Sequence, residues 1–117
     1  MRKILIYLAN LTHMNDGRPS ADLLPLNIGY LASYLKANLN KECEIKLFDD
    51  PYELESETER AVPDIIASSN YIWNFRLNYL YLSHYKTRYP GIITVMGGPN
   101  FPGIEMEQEI FLRKHRD

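Results

Sequence analysis

Two stretches of the sequence decide the fold: Pro63-Asp64-Ile65-Ile66-Ala67-Ser68-Ser69-Asn70-Tyr71-Ile72-Trp73-Asn74 and Val95-Met96-Gly97-Gly98-Pro99. Each begins as an apolar run of strand length and changes abruptly to small and polar residues. A continuous apolar run is typical of a parallel strand that is buried on both faces. Ligands of open α/β sheets lie just beyond the carboxyl ends of such strands. These two strand ends therefore predict the rim of a binding crevice.

Strands and helices alternate along the rest of the chain. The predicted strands are 3–8, 44–48, 65–68 and 92–96, and the predicted helices are 24–39, 74–89 and 105–114, with a loop over 9–22 and a short helix or ordered loop over 52–62. The residues predicted to face inward from the second helix are Leu77, Leu80, Tyr81 and Tyr85, and those predicted to share one side of the last are Met106, Ile110 and Phe111. This alternation predicts an α/β fold, a doubly wound, three-layer parallel sheet of Rossmann-like or flavodoxin-like type.

The last predicted helix, 105–114, is followed by only three residues. A doubly wound sheet would normally continue with a fifth strand at this point. We therefore expect residues 1–117 to be one α/β domain of a longer protein, truncated before its fifth strand.

Composition excludes several classes of protein. The chain has 117 residues, of which 45% are hydrophobic and 24% charged, and its net charge is -2, so it is long enough for one core and gives no support for nucleic-acid binding. No apolar run approaches the roughly 20 residues that span a membrane, and a cytoplasmic location is the default. Cys43 is the only cysteine, which excludes an internal disulfide and any multi-cysteine metal site within these residues.

The strand ends carry the candidate binding residues. Gly97, Gly98 and Pro99 follow one strand, where glycines let a ligand approach the backbone closely, although they could also form a plain turn. At the adjacent tip, the candidates are Ser69, Asn70, Tyr71 and Trp73, which suit a flat ligand fringed by amides. Ordinary structural roles remain open here, because Asn74 stands where a helix N-cap is wanted and a lone Trp commonly covers a core.

Other reactive side chains give weaker signals. His13 lies in the first loop with no cysteine or second histidine nearby, so a structural metal site is not expected there. His84 and His115 are predicted to be solvent-exposed. The four glutamates from Glu53 to Glu59 are predicted to lie on the hydrated protein surface. The sequence has no Ser–His–Asp pattern, no GxGxxG and no phosphate-binding loop, and it therefore predicts a binding domain with no catalytic residues of its own.

The ordered set of segments resembles a known family. Leu24 to Ala32, Asp49-Asp50, the stretch from Pro63 to Asn74, and Gly97-Gly98-Pro99 occur in the order found in the N-terminal cobalamin-binding domain of cobalamin-dependent radical S-adenosylmethionine (SAM) enzymes. The resemblance covers nearly the whole chain. It implies that cobalamin lies at the carboxyl edge of the sheet.

The resemblance also implies roles for individual residues. Cobalamin-binding domains in general carry Asp-x-His-x-x-Gly after the first strand; here Asn10, His13 and Gly17 stand in that loop with each interval one residue longer. This departure suits the radical SAM branch, which typically has no histidine ligand to cobalt. The remaining implied contacts are Ser69, Gly97 and Gly98 along the groove for the displaced nucleotide tail, and Leu11, Thr12, Tyr71 and Trp73 around the lower face of the corrin. Asn70 and Pro99 remain candidates from their positions at the strand ends alone.

For the whole protein, the resemblance implies a methyltransferase or a related rearrangement enzyme. Its catalytic barrel, with SAM and an iron–sulfur cluster, would lie downstream as the partner of this domain, and neither a nucleic acid nor a membrane is implied. Residues 1–117 by themselves should have no radical activity and only weak cobalamin affinity, because a fifth strand would form one wall of the tail groove. The alternatives are a flavodoxin-like domain that binds a flavin or a nucleotide, and a degenerate interaction module. A phosphoacceptor receiver domain is disfavoured, since only Asp49-Asp50 matches its pattern.

Overall fold

Strands and helices alternate throughout the computed structural model, which describes residues 2–12, 14–15, 18–19, 26–98 and 102–115. Within these residues the strands are β1 (Ile4–Ala9), β2 (Met14–Asn15), β3 (Arg18–Pro19), β4 (Cys43–Phe48), β5 (Ile65–Ser69) and β6 (Ile93–Gly97). The helices are α1 (Leu26–Leu39), α2 (Pro51–Arg60), α3 (Phe75–Arg88) and α4 (Glu105–Lys114).

Four of the strands form one parallel sheet in the order β4-β1-β5-β6. At the centre of the sheet, Ile6 of β1 is in register with Ile45 of β4 and with Ile65 of β5. The chain passes from β1 to β4 on one side and then crosses back to β5 on the other. Such a reversal in strand order is where doubly wound sheets bind their ligands. The predicted α/β fold with a doubly wound parallel sheet is confirmed.

Helix α1 covers one face of the sheet. Ile28 and Ala32, one helical turn apart, pack on Ile6, Leu8 and Cys43. All five are buried between α1 and the sheet. The buried thiol of Cys43 belongs to this layer.

Helices α2 and α3 cover the opposite face. Leu54 of α2 and Leu82 of α3 pack on Tyr7 and Ile66, and Tyr85 is 2% exposed in the same cluster. Burial raises the pKa of the Tyr85 hydroxyl to about 12. The sheet therefore has helices on both faces, as predicted.

One prediction about helix faces needs correction. Leu80 is 66% exposed, because the buried stripe of α3 runs through Asn78, Leu82 and Tyr85 and leaves position 80 on the opposite side. The three residues predicted to share one side of α4 differ in burial: Met106 is 73% and Ile110 52% exposed, whereas Phe111 is half-buried.

The predicted loop 9–22 contains structure that the sequence did not predict: Met14 pairs with Pro19 and Asn15 with Arg18 as a short antiparallel ladder. The segment 52–62, predicted as a short helix or an ordered loop, is largely helix α2. The first turn of α2 is capped by the Asp50 carboxylate, which accepts from Tyr52 N–H at 2.8 Å. Among the described residues, no helix is long and apolar enough to cross a membrane.

Candidate functional site

A recess of about 240 Å³ lies at the carboxyl edge of the sheet, where β5 and β6 end beside the start of α1. Ser69 and Gly97 are partners in the ladder between β5 and β6, so the two strand ends singled out by the sequence meet there. The floor and walls are largely apolar, and the lining residues are Leu8, Asn27, Ile28, Leu31, Ala67, Ser68, Ser69, Tyr71, Val95, Gly97 and Gly98. The recess lies beside the reversal in strand order.

Asn27, in the first turn of α1, connects this helix to the end of β5 and to the loop that follows β5. Its side-chain amide Nδ2 donates to Ser69 Oγ at 2.6 Å and to the Tyr71 hydroxyl at 2.9 Å. Its Oδ1 accepts from the backbone N–H of Ile28 at 2.8 Å. Asn27 was not predicted as a site residue. Asn27 and Ser69 are 42 positions apart, so no local sequence pattern indicates their contact.

Two buried asparagines hold the loop that follows β5. Asn74 Oδ1 accepts from Tyr71 N–H at 2.8 Å, and Asn74 Nδ2 donates to the carbonyls of Leu11 at 3.1 Å and Ser69 at 3.2 Å. Asn78 Nδ2 donates to the same Ser69 carbonyl at 2.7 Å. Asn74 stands at the N-cap position of α3, but its side chain makes no capping hydrogen bond. It instead joins the loop after β1 to the loop after β5.

Gly98 has a conformation that requires glycine. Its φ is +135°, and a Cβ at this position would lie 2.7 Å from the backbone oxygen of Asn70. Gly97 differs, since a Cβ there would meet nothing within 4 Å. The first glycine therefore leaves open space at the recess, and the second allows the β6 end to pass close to the β5 end.

An exposed aromatic pair lies next to the recess. The rings of Tyr71 and Trp73 stack at 4.6 Å between centroids with an interplanar angle of 8°. Trp73 is 64% exposed, so it does not cover the core. Because Tyr71 lines the recess and bonds to Asn27, the stack is fixed relative to the recess.

The other predicted binding residues occupy different environments. Leu11 is 1% exposed and packs in the core on the α2–α3 face, and its carbonyl accepts from Asn74 Nδ2, so it offers almost no surface to a ligand. Thr12 is half-buried and donates from its backbone N–H to the carbonyl of Asp49 at 3.1 Å. Asn70 is 3% exposed, and no partner for its Oδ1 is found in the described part of the chain. Pro99 and His13 lie outside the described residues.

The recess offers hydrogen bonds and apolar contact. None of the described groups with a shifted pKa lines the recess. Arg2 and a backbone N–H lower the pKa of Asp64, which lies at the opposite end of β5. Lys46 lowers the pKa of Glu57 on α2. No three His, Cys, Asp or Glu side chains converge on a possible metal position within residues that the structure describes.

The prediction that His115 is solvent-exposed is wrong. His115 is half-buried among aromatic rings, at 4.9 Å from Phe75, 5.2 Å from Tyr79 and 4.4 Å from Phe111 between ring centroids. This cluster joins α4 to α3 on the face opposite the recess. His84 is exposed, as predicted.

Two curated proteins align with most of this chain. The chain is similar to part of two methyltransferases. One is the 2-(S-pantetheinyl)-carbapenam-3-carboxylate methyltransferase of Streptantibioticus cattleyicolor, 30% identical over 90 residues that cover 74% of this chain and 13% of that protein. The other is the cobalamin-dependent radical SAM methyltransferase TokK of Streptomyces tokunonensis, 32% identical over 84 residues that cover 68% of this chain and 12% of that protein. No family model matches the chain.

The chain thus spans about an eighth of the length of these relatives. The aligned region is a small part of a much longer protein in both cases. Both relatives are methyltransferases by name, and the name of TokK states its dependence on cobalamin.

Proposed function

We propose that this chain is the cobalamin-binding domain of a radical SAM enzyme, and that the corrinoid lies across the carboxyl edge of the sheet. One observation carries the proposal: an apolar recess rimmed by Asn27 and Ser69 adjoins the exposed Tyr71–Trp73 stack. The similarity to TokK supports the same choice.

The chemistry of the site suits this cofactor. A corrin is a broad, mostly apolar disc with amide groups around its edge, and such a ligand needs apolar surface with a few well-placed hydrogen-bonding groups. The stacked rings of Tyr71 and Trp73 offer a flat apolar surface, and the hydroxyl and amide groups of Ser69 and Asn27 lie beside it. The open space at Gly97 would admit part of a displaced nucleotide tail.

In this proposal the residues of the chain bind and orient the cofactor. Asn27 fixes Ser69 and Tyr71, while Asn74 fixes the loops after β1 and β5 relative to each other. Bound cobalamin would supply the cobalt that carries a transferred group, and the domain would set its orientation and shield its lower face. We assign SAM, the iron–sulfur cluster and the methyl acceptor to a separate barrel of the longer protein.

Comparison of two corrinoids tests the recess. We expect the chain to bind hydroxocobalamin with a dissociation constant weaker than about 1 μM, measured by visible absorbance, and cobinamide, which has no nucleotide tail, more weakly still. Gly97→Val fills the recess and should weaken cobalamin binding about tenfold or more while leaving cobinamide binding within about twofold. Gly91→Val is the matched control, because Gly91 also has open space around a Cβ but lies at the other end of β6.

The aromatic stack has its own test. Trp73→Ala should weaken the binding of both corrinoids about fivefold or more, because both keep the ring that would rest there. Ile72→Ala is the control, since Ile72 is adjacent and 82% exposed. If flavin mononucleotide raised the Tm of the chain and neither corrinoid did, the proposal would be overturned in favour of a flavin site. Micromolar or tighter cobalamin binding would contradict the argument that the groove lacks a wall.

A further inference from the structure

Asn27 sets the direction of the hydrogen bonds at the recess. The backbone N–H of Ile28 lies 2.8 Å from one atom of the Asn27 side-chain amide, and because a backbone N–H only donates, that atom is the oxygen Oδ1. The amide nitrogen Nδ2 therefore faces the other way, at 2.6 Å from Ser69 Oγ and 2.9 Å from the Tyr71 hydroxyl. An amide nitrogen carries two hydrogens and does not accept, so both hydroxyl oxygens accept from Asn27.

Each of these hydroxyls keeps its own hydrogen for another partner, because a hydroxyl is a donor as well as an acceptor. Within the residues that the structure describes, neither the Ser69 nor the Tyr71 hydroxyl donates to a protein acceptor. Both side chains line the recess, and Ser69 is 7% exposed, so water has little access to its hydroxyl. The recess therefore presents two O–H donors that one amide group holds next to each other.

The other lining residues supply no charge that would change this preference. Among the described residues that line the recess, Ser68 is the only further one with a polar side chain, and none is charged. A ligand group with lone pairs and no hydrogen can accept from both hydroxyls. A ligand N–H or O–H at the same position would leave both hydroxyl hydrogens unpaired, which weakens binding by about tenfold or more for a buried group.

We propose that the recess selects a ligand group that accepts hydrogen bonds, and that Asn27 is the positioning residue that sets this selectivity. The inference rests on the proposed function. In cobalamin, the displaced nucleotide tail carries such acceptors in its phosphodiester and in the ring nitrogen of its base. Cobinamide has neither group, so its binding reports on the rest of the site.

Exchange of the amide for a carboxylate tests the selectivity. Asn27→Asp keeps an oxygen for Ile28 N–H but presents a second acceptor to Ser69 and Tyr71, whose hydroxyls would then donate to it and no longer to the ligand. We expect the affinity for cobalamin to fall about tenfold or more and that for cobinamide to stay within about twofold, measured by visible absorbance. The Tm should not fall, because a carboxylate is favourable in the first turn of a helix.

Asn27→Ala separates selectivity from a purely structural role. This variant removes the amide and leaves both hydroxyls able to donate to the ligand, so cobalamin affinity should fall by only about threefold or less. A structural role alone predicts the opposite order, since the carboxylate retains all three contacts of Asn27 and alanine retains none. Asn40→Asp makes the same change of charge at an exposed position after α1 and is the matched control.

A double-mutant cycle separates hydrogen-bond direction from the added negative charge. Tyr71→Phe keeps the ring that stacks on Trp73 and removes the hydroxyl. Alone, it should weaken cobalamin binding about fivefold, whereas combined with Asn27→Asp it should cause no further loss, because that hydroxyl no longer donates to the ligand. Tyr30→Phe is the control, since Tyr30 lies on α1 and is 73% exposed.

A third corrinoid identifies the acceptor. Cobinamide phosphate keeps the phosphate of the tail but has no base. If Asn27→Asp weakens its binding about tenfold, the phosphate is the acceptor; if only cobalamin binding is weakened, the acceptor is the base.

The outcomes distinguish this inference from the proposed function. Unchanged cobalamin binding in Asn27→Asp would overturn the inference and leave the proposed function standing. An equal loss from Tyr71→Phe with and without Asn27→Asp would also overturn it, because the carboxylate would then act through its charge. If the unsubstituted chain bound neither cobalamin nor cobinamide, both proposals would fall.

Discussion

At the scale of single residues, the two glycines after β6 have different roles. Gly98 combines a φ of +135° with the close approach of the Asn70 backbone, whereas Gly97 has free space around it. Both face the same recess. The two adjacent glycines therefore differ: the backbone requires a glycine at position 98, whereas Gly97 leaves open space in the recess.

Gly98→Ala should lower the free energy of unfolding by about 1–3 kcal/mol, because the added methyl group meets fixed backbone atoms at a φ that L-residues rarely adopt. Gly97→Ala should change it by no more than about 0.5 kcal/mol. Urea unfolding of both variants measures the difference. Equal losses of stability would mean that the backbone at Gly98 relaxes freely.

At the scale of elements, an ion pair fixes the amino end of the sheet. Asp64, just before β5, accepts from Arg2 Nη1 and Nη2 at 2.8 and 2.9 Å and from the backbone N–H of Leu5 at 2.8 Å. The Arg2 guanidinium and this N–H lower the pKa of the Asp64 carboxyl. Since Asp64 contacts residues before and within β1, it helps to align β5 with β1.

A lowered pKa in the folded state has a defined effect on pH dependence. The carboxylate stabilises the fold above the pKa of an unfolded aspartate, about 3.9, and this contribution is lost as the pH falls through the folded-state value. Asp64→Asn should therefore reduce the loss of stability between about pH 5 and pH 2.5, measured by urea unfolding. Glu59→Gln, at an exposed carboxylate of α2, is the control. The same pH dependence in both variants would contradict a role for Asp64.

At the scale of the whole molecule, the described part of the chain combines a well-buried central strand, β1, with a weakly attached helix, α4. Strand β1 is buried along most of its length, whereas α4 has no buried residue. The contacts of α4 with α3 run through Phe111 and His115 to Phe75 and Tyr79. Elements with few buried contacts open locally before the rest of a protein unfolds.

Phe75→Ala should release α4 selectively. Loss of an aromatic pair removes about 1 kcal/mol, so the α4 amides should exchange roughly fivefold faster while those of β1 stay protected. Ile110→Ala is the control, because Ile110 lies on α4 and is 52% exposed. Equal acceleration in β1 would show instead that α4 and the sheet open together.

The sequence predicted the sheet well because β1, β5 and β6 are mostly apolar runs, and β4 alternates apolar with charged residues in the two-residue period of a strand. The predicted strand 65–68 is one residue shorter than β5, and the predicted helix 105–114 coincides with α4. The inward face of α3 was harder to predict, because apolar and aromatic residues occur on several sides of this helix and its buried stripe includes the polar Asn78. Leu80 was therefore predicted wrongly.

The candidate site was only partly predictable. The strand order brings Ser69 and Gly97 together, and this followed from general rules for parallel sheets. The contacts of Asn27 with Ser69 and of Asn74 with Leu11 join residues 42 and 63 positions apart, and no local pattern indicates them. His115 was assigned to solvent because its aromatic partners on α3 are distant in sequence.

The stack of Tyr71 on Trp73 has a practical consequence. Trp73 is the only tryptophan of the chain, and it is exposed beside the proposed binding surface. Its indole emission therefore originates at a single known position. Any strongly absorbing molecule that settles there should quench this fluorescence, so that occupancy can be followed optically in the unlabelled protein.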